Sequence, residues 1–297
     1  MQSFKIGEDF NAVNSCCFEY FKTLQDKTID LVLTDPPYLI SRDTGFSAVK
    51  NGVKRFAVSM DFGKWDKEFE GFAEAVCEMY RVLKQGGTCI IFYDLWKITT
   101  LKEIMELAGF KQIRMIEWIK TNPVPLNSKT NYLTNAREIA LLGVKGSNPV
   151  FNSQYDNGVY SYPIYHSKNR FHPTQKPVDL FNDLILKHSN EGDIVCDPFF
   201  GSLTTGISAL NTGRSFTGCE LNNEYFAKAI VRLNKELPIK FKEKNKIMDT
   251  SERKTLKSQI TINEIEDFIS DEIIENDYDI MNEVFKDFAI KVVKVAK

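Results

Sequence analysis

Four short apolar runs, each with an acid at or near its carboxyl end, constrain this chain more than any other feature. They are "DLVLTD" (30–35), "TCIIFYD" (88–94), "DIVCDPF" (193–199) and "SFTGCEL" (215–221). Consecutive apolar residues over so few positions suit a strand covered on both faces, which is the strand of a parallel sheet. Parallel neighbours need crossovers, and helical patterns supply them. Phe72, Val76, Met79, Tyr80 and Leu83 recur at helical spacing, with Gly86 and Gly87 expected to end that helix. Further helical patterns lie near 97–108, 177–189, 203–211 and 223–236, with strand-like runs at 112–119 and 137–144. This rhythm predicts an α/β fold: a mixed, mostly parallel, doubly wound sheet flanked by helices, with right-handed crossovers.

Two stretches interrupt the rhythm. Residues 121–136 and 146–177 are rich in Pro, Asn, Ser and Tyr and read as long functional loops. They fall within a catalytic domain read over 1–237, with 121–170 as its inserted region. From Pro238 the composition shifts: 240–257 is Lys-rich, and 263–287 is acidic with Ile262, Ile265, Ile269 and Ile273 at helical intervals. Residues 238–297 therefore read as a charged, mostly helical extension.

The 297 residues carry a net charge of -2, so any nucleic-acid face must come from local patterning. No apolar run approaches a membrane span and the N-terminus lacks a signal pattern, so a cytoplasmic protein with no membrane partner is expected. Cys16, Cys17, Cys77, Cys89, Cys196 and Cys219 form no C-x-x-C pair and are expected to be reduced. His166, His172 and His188 are scattered, with no cysteine or carboxylate at ligand spacing, so no metal is expected. A G-x-S-x-G nucleophile elbow is absent.

In "IDLVLTDPPYLI" (29–40) the strand must stop at Pro36 and Pro37, which leaves Asp35 and Tyr38 stiffly held at its mouth. A second junction, "DPFFGSLTTG" (197–206), follows a strand and opens a helix, with Gly201 at the turn. The spacing of Gly201 and Gly206 fits half of a P-loop, but Ile207 stands where the phosphate lysine belongs, and G-x-G-x-x-G is absent. Glu220, which ends the next strand, lies where a carboxylate accepts hydrogen bonds from ribose hydroxyls. A glycine turn and a ribose acid without a phosphate cradle point to a nucleoside cofactor lacking phosphates, S-adenosylmethionine.

"DPPY" (35–38), "HPTQKP" (172–177) and "DPFFGS" (197–202), in that order, resemble the beta class of DNA amino-methyltransferases. The adenine-N6 enzymes of restriction–modification systems are the nearest match, because their tetrapeptide leads with Asp. The resemblance covers about 1–237 and extends to "DFGKWDK" (61–67) and "TNPVPLN" (121–127). It implies a Rossmann-like S-adenosylmethionine-dependent methyltransferase fold in a bacterial or phage-encoded protein. S-adenosylhomocysteine would be the product, DNA the substrate and 121–170 the target recognition region. A homodimer and a cognate restriction endonuclease acting on the same site are the further partners it implies. The alternatives are a cytosine-N4 methyltransferase and a non-catalytic DNA-binding or regulatory protein that keeps the fold.

The resemblance also implies roles for individual residues. Asp35, Pro36, Pro37 and Tyr38 would be catalytic. An exocyclic amine is a poor nucleophile because its lone pair is delocalised into the ring. Asp35 and the Pro36 carbonyl would each accept one of its N–H bonds and aim the lone pair at the methyl group. A base stacked on Tyr38 would gain roughly 1–3 kcal/mol, offsetting part of the cost of extruding it from a duplex, on the order of a few kcal/mol. Asp9, Asp35, Thr174, Lys176, Pro177, Asp197, Phe199, Gly201, Ser202, Thr204 and Glu220 would bind the cofactor, with Lys176 near its carboxylate and Asp9 near its adenine. One departure stands out: Leu203 replaces the usual glycine, and a Cβ there calls for negative φ or strain and would narrow the approach to the cofactor. Arg42, Lys50, Lys54 and Arg55 in one loop would contact DNA, as would Lys120, Asn122, Asn127, Lys129 and Asn131 in the second and Lys168 and Arg170 in the third.

Overall fold

The computed structural model describes residues 2–37, 71–123, 133–166 and 170–236 throughout, and the backbone of 46–50 and 53–58. Its strands are β1 (Gln2–Ile6), β2 (Phe10–Asn14), β3 (Ile29–Thr34), β4 (Phe46–Lys50), β5 (Val53–Val58), β6 (Leu83–Tyr93), β7 (Lys111–Lys120), β8 (Arg137–Val144), β9 (Val159–Tyr162), β10 (Ile194–Asp197) and β11 (Ser215–Glu220). One sheet has the order β1-β2-β11-β10-β3-β6-β8-β7-β9, and β4 and β5 form a separate antiparallel pair. In the large sheet β2, β11, β10, β3 and β6 are successive parallel neighbours. Antiparallel β1 closes one edge, and antiparallel β8 and β7 extend the other.

Both faces of the parallel strands are buried, which is why they read as unbroken apolar runs. Leu31, Leu33, Ile90 and Phe92 face a core shared with the helices Val178–His188, Thr204–Asn211 and Asn223–Glu236. Val32, Cys89, Ile91 and Cys196 face the opposite core, under the helices Phe72–Val82 and Ile98–Ala108. Among the described residues no helix is long and apolar enough to cross a membrane.

The topology decides where a ligand can sit. From β3 the chain crosses through Phe72–Val82 to β6 on one side. From β10 it crosses through Thr204–Asn211 to β11 on the other. The winding direction reverses between β3 and β10, so the crevice beyond their carboxyl ends lies between Asp35 and Asp197.

Several expectations need correction. The helix expected to run to Gly86 and Gly87 ends at Val82, and both glycines lie inside β6. They occupy the register shift between the pairs Ile29–Leu83 and Leu31–Thr88. A Cβ on Gly86 would stand 2.8 Å from the Asn148 carbonyl oxygen, so these glycines permit a close approach of two backbones and do not cap a helix. The N-terminal run is two strands, β1 and β2, around a turn at Gly7–Asp9. The region 146–177 is not all loop: it contains β9, an edge strand in which only Tyr160 is buried. The extension read over 238–297 lies outside the described residues.

Candidate functional site

Three acids stand at the carboxyl ends of adjacent strands: Asp35 after β3, Asp197 on β10 and Glu220 on β11. Asp197 is buried. Its Oδ1 accepts from the Thr34 hydroxyl at 2.6 Å and the Phe199 amide at 3.0 Å, and its Oδ2 accepts from the Thr205 hydroxyl at 2.5 Å. Burial pushes the Asp197 carboxyl up to about 6, against the pull of Thr205 and Thr34. Glu220 clasps the glycine turn: Oε2 accepts from the Gly201 amide at 3.0 Å and Oε1 from the Asn222 amide at 2.7 Å. Burial raises Glu220 to about 7, although both amides favour its charge. An ionised carboxylate has about four lone-pair sites, so Glu220 can still accept from a further donor.

The turn itself is tight. Gly201 has φ +47°, and a Cβ there would lie 3.0 Å from His172 Nε2. Of the two outcomes expected at Leu203, negative φ or strain, the residue takes the strained one. It takes φ +66° at the N-cap of Thr204–Asn211, donating to the Phe200 carbonyl at 2.7 Å and accepting from the Ile207 amide at 3.1 Å. Its side chain is fully buried in the core, so it does not narrow an open approach. The core burial offsets a left-handed strain of about 1–2 kcal/mol.

"HPTQKP" lies against this turn. His172 Nδ1 faces the Thr174 amide at 3.3 Å and the Thr174 hydroxyl at 3.2 Å, and its ring meets Tyr225 edge-on at 4.6 Å. Burial, reinforced by the charges of Lys176 and Arg170, pushes His172 down to about 3 and keeps it neutral. Lys176 Nζ is held by Asp35 Oδ2 and, at 3.0 Å, by Glu138 Oε2, while Glu138 Oε1 lies 2.8 Å from Lys120 Nζ. Burial pulls Lys176 down, but Asp35 and Glu138 outweigh it and hold the ammonium above its ordinary value. Burial likewise raises Glu138, and Lys176 and Lys120 more than reverse this. The Lys176 ammonium is thus paired with two protein carboxylates. The Thr204 hydroxyl donates to the Lys176 carbonyl at 3.2 Å and lies 3.2 Å from that of Ser202. Buried Arg232 binds the Ser202 carbonyl at 2.9 Å and the Thr204 hydroxyl at 3.0 Å. Pro36 and Pro177 are buried, and Pro37, Thr174 and Phe199 are partly buried.

One other expected residue, Asp9, is placed elsewhere. Asp9 sits in the turn before β2 and its carbonyl accepts from Phe216 at 2.8 Å, near the amino end of β11, at the end of the strands opposite Glu220. The local pattern suggests one strand ending at the site, whereas a second strand intervenes. Three residues expected at a DNA face make intramolecular contacts. Arg170 donates to the His172 carbonyl at 3.2 Å and to that of Pro173. Asn122 Oδ1 accepts from the Ile164 amide at 2.6 Å, and Lys120 pairs with Glu138. Tyr38, Arg42, Asn127, Lys129, Asn131 and Lys168 lie outside the described residues, and for Lys50, Lys54 and Arg55 only backbone on β4 and β5 is described. The sequence pattern did not mark Thr34, Thr205, Arg232 or Glu138. An acid heading the otherwise apolar "EIALLGV" (138–144) was the one signal available. No group of three or more His, Cys, Asp or Glu that could hold a metal ion is found among the described residues.

Comparison with known proteins gives four findings. The family model N6_N4_Mtase, described as DNA methylase, matches residues 29–231. The chain is 33% identical over 251 residues to the type II methyltransferase M2.DpnII of Streptococcus pneumoniae, covering 75% of this chain and 89% of that protein. Among solved structures, the M1.HpyAVI–SAM complex superposes with a TM-score of 0.57 at 28% identity, covering 75% of this chain and 100% of the other. The cytosine-N4-specific PvuII DNA methyltransferase superposes with a TM-score of 0.61 at 17% identity, covering 80% and 92%, a likeness of fold alone.

Proposed function

This chain belongs to the N6/N4 DNA methylase family, and from that premise we propose that it methylates the N6 amino group of adenine in DNA with S-adenosylmethionine. The adjacency of Asp35 and Asp197 at the reversal of winding carries the reading, since it brings the acceptor motif and the cofactor motif to one crevice. The acids fit that cofactor. Asp35, Asp197 and Glu220 on three neighbouring strand ends would repel a polyphosphate and attract a sulfonium cation. When bound, S-adenosylmethionine supplies an electrophilic methyl group on that cation.

The protein's own contribution is orientation and electrostatics. Asp35, held on one oxygen by Lys176, is an ionised acceptor for an amine N–H, and the Pro36 carbonyl accepts the second. Pro36 and Pro37 add no N–H of their own to compete, and they fix the backbone. Transfer would exchange one N–H proton of the amine, released to solvent, for the methyl group, whose bond to sulfur would break with its electron pair left on sulfur. Tyr38 stacks on the extruded base. Glu220 accepts from the ribose hydroxyls with its remaining lone pairs, and Asp197 holds the turn from within. Phe199, Gly201, Ser202, Thr204, Thr174 and Pro177 line the cofactor, and Lys176 serves Asp35. A homodimer and a partner endonuclease belong to the same reading.

Incubation of the full chain with tritiated donor and unmethylated duplex DNA tests it, with mass spectrometry of the digested product. N6-methyladenine is the expected product. N4-methylcytosine would move the assignment to the cytosine branch, and no incorporation on any DNA would overturn it.

A further inference from the structure

The geometry points to Glu138 as a positioning residue for Asp35, acting through Lys176 and anchored by Lys120. The inference rests on the acceptor role proposed for Asp35. Four side chains from four segments form one chain of alternating charge: Lys120 at the end of β7, Glu138 near the start of β8, Lys176 in "HPTQKP" and Asp35 after β3. With all four ionised the chain is neutral.

Burial explains why it must be a chain. The Lys176 side chain is 5% exposed, and a buried ammonium keeps its proton only beside opposing charge. Its long stem also lets the ammonium swing. A single carboxylate would leave that freedom, whereas Glu138, ion-paired to the same Nζ at 3.0 Å, restricts it. The Asp35 oxygen that Lys176 grips is thereby fixed, and so is the plane in which the carboxylate can receive an amine. Glu138 is itself a partly buried charge, and Lys120 balances it through the other oxygen at 2.8 Å. The Lys120 amide also donates to the Ala136 carbonyl at 2.8 Å. The chain therefore ends at the neck of the segment 121–136, and the acceptor is referenced to that neck across the sheet.

The test uses the full chain with the substitutions Glu138→Gln, Glu138→Asp, Lys120→Met and the double Lys120→Met/Glu138→Gln. Three quantities are read: the single-turnover methyl-transfer rate on unmethylated duplex DNA, the Kd for S-adenosylmethionine by calorimetry, and the melting temperature. Glu138→Gln is expected to slow transfer by on the order of 10- to 100-fold, with donor Kd within about twofold of wild type. Glu138→Asp should recover part of the rate, and the double substitution should be no slower than Glu138→Gln. A folded Glu138→Gln protein with a wild-type rate overturns the inference, as does a loss of donor affinity equal to the loss of rate. Should Glu138→Gln fail to fold, Lys120→Met decides: a smaller slowing at unchanged donor Kd supports the inference, and a wild-type rate sinks it. A wild-type chain that transfers no methyl group refutes the proposed function instead, so the two failures are distinct.

Discussion

The Thr34 hydroxyl donates to Asp197 Oδ1 at 2.6 Å, joining the ends of β3 and β10 across 163 positions of sequence. Replacing it by Thr34→Val keeps the shape and removes the donor, leaving Asp197 with Thr205 and the Phe199 amide. A hydrogen bond to a charged group contributes about 1.5–3 kcal/mol. Asp197 carries its charge only above about 6. The loss of stability in urea should therefore be larger at alkaline than at mildly acid pH. An equal loss at both would mean that the hydroxyl does not report on the carboxylate's charge.

Donor binding should depend on pH through Asp197 and Glu220, which burial raises to about 6 and about 7. Because each folded pKa lies above the unfolded one, the free protein loses stability from this source as pH rises through those values. A cationic ligand favours the ionised forms, so binding releases protons, and affinity should climb through the same window before levelling. Calorimetry in buffers of different ionisation enthalpy would detect the proton release, and the melting temperature should rise more with donor above pH 7 than below pH 6, taking about 6 and about 7 as the two midpoints. A Kd that stays flat across the window would mean that the charge of neither group is felt by the donor.

Leu203 sets strain against burial. Leu203→Gly relieves about 1–2 kcal/mol of left-handed strain but empties a buried site, where truncating Leu to Ala costs about 2–5 kcal/mol. Burial should win, with a net destabilisation of about 1–3 kcal/mol by denaturant unfolding. Donor affinity should change little, because the side chain packs into the core. A variant more stable than wild type would show that the backbone strain outweighs the packing of the side chain.

Asp35→Ala should lower the methyl-transfer rate at least about 10²–10³-fold while donor binding survives, because the substitution leaves Asp197 and Glu220 untouched. Tyr38→Ala should cost less, by the roughly 1–3 kcal/mol of a base–aromatic stack. Single-turnover rates and donor calorimetry on the same preparations separate the two. Near-normal transfer by Asp35→Ala would end the acceptor mechanism.

The alternation of strands and helices was legible in the sequence because it depends on neighbouring residues. Runs such as Leu31-Val32-Leu33 are apolar since both faces of a central strand are covered, and Pro36 and Pro37 end β3 wherever that strand sits in the sheet. The order of the three motifs and the acids at strand ends followed from the same local signals. Strand order, register and ion pairing join residues far apart in sequence, and no periodicity encodes them. Only the packed sheet set β3 beside β10, sent Asp9 to the far end of the strands, turned Leu203 into the core and drew Lys176 between Asp35 and Glu138. The physical reason is that a buried charge takes its position from the opposing charges that folding brings to it, and those are fixed by tertiary contact alone.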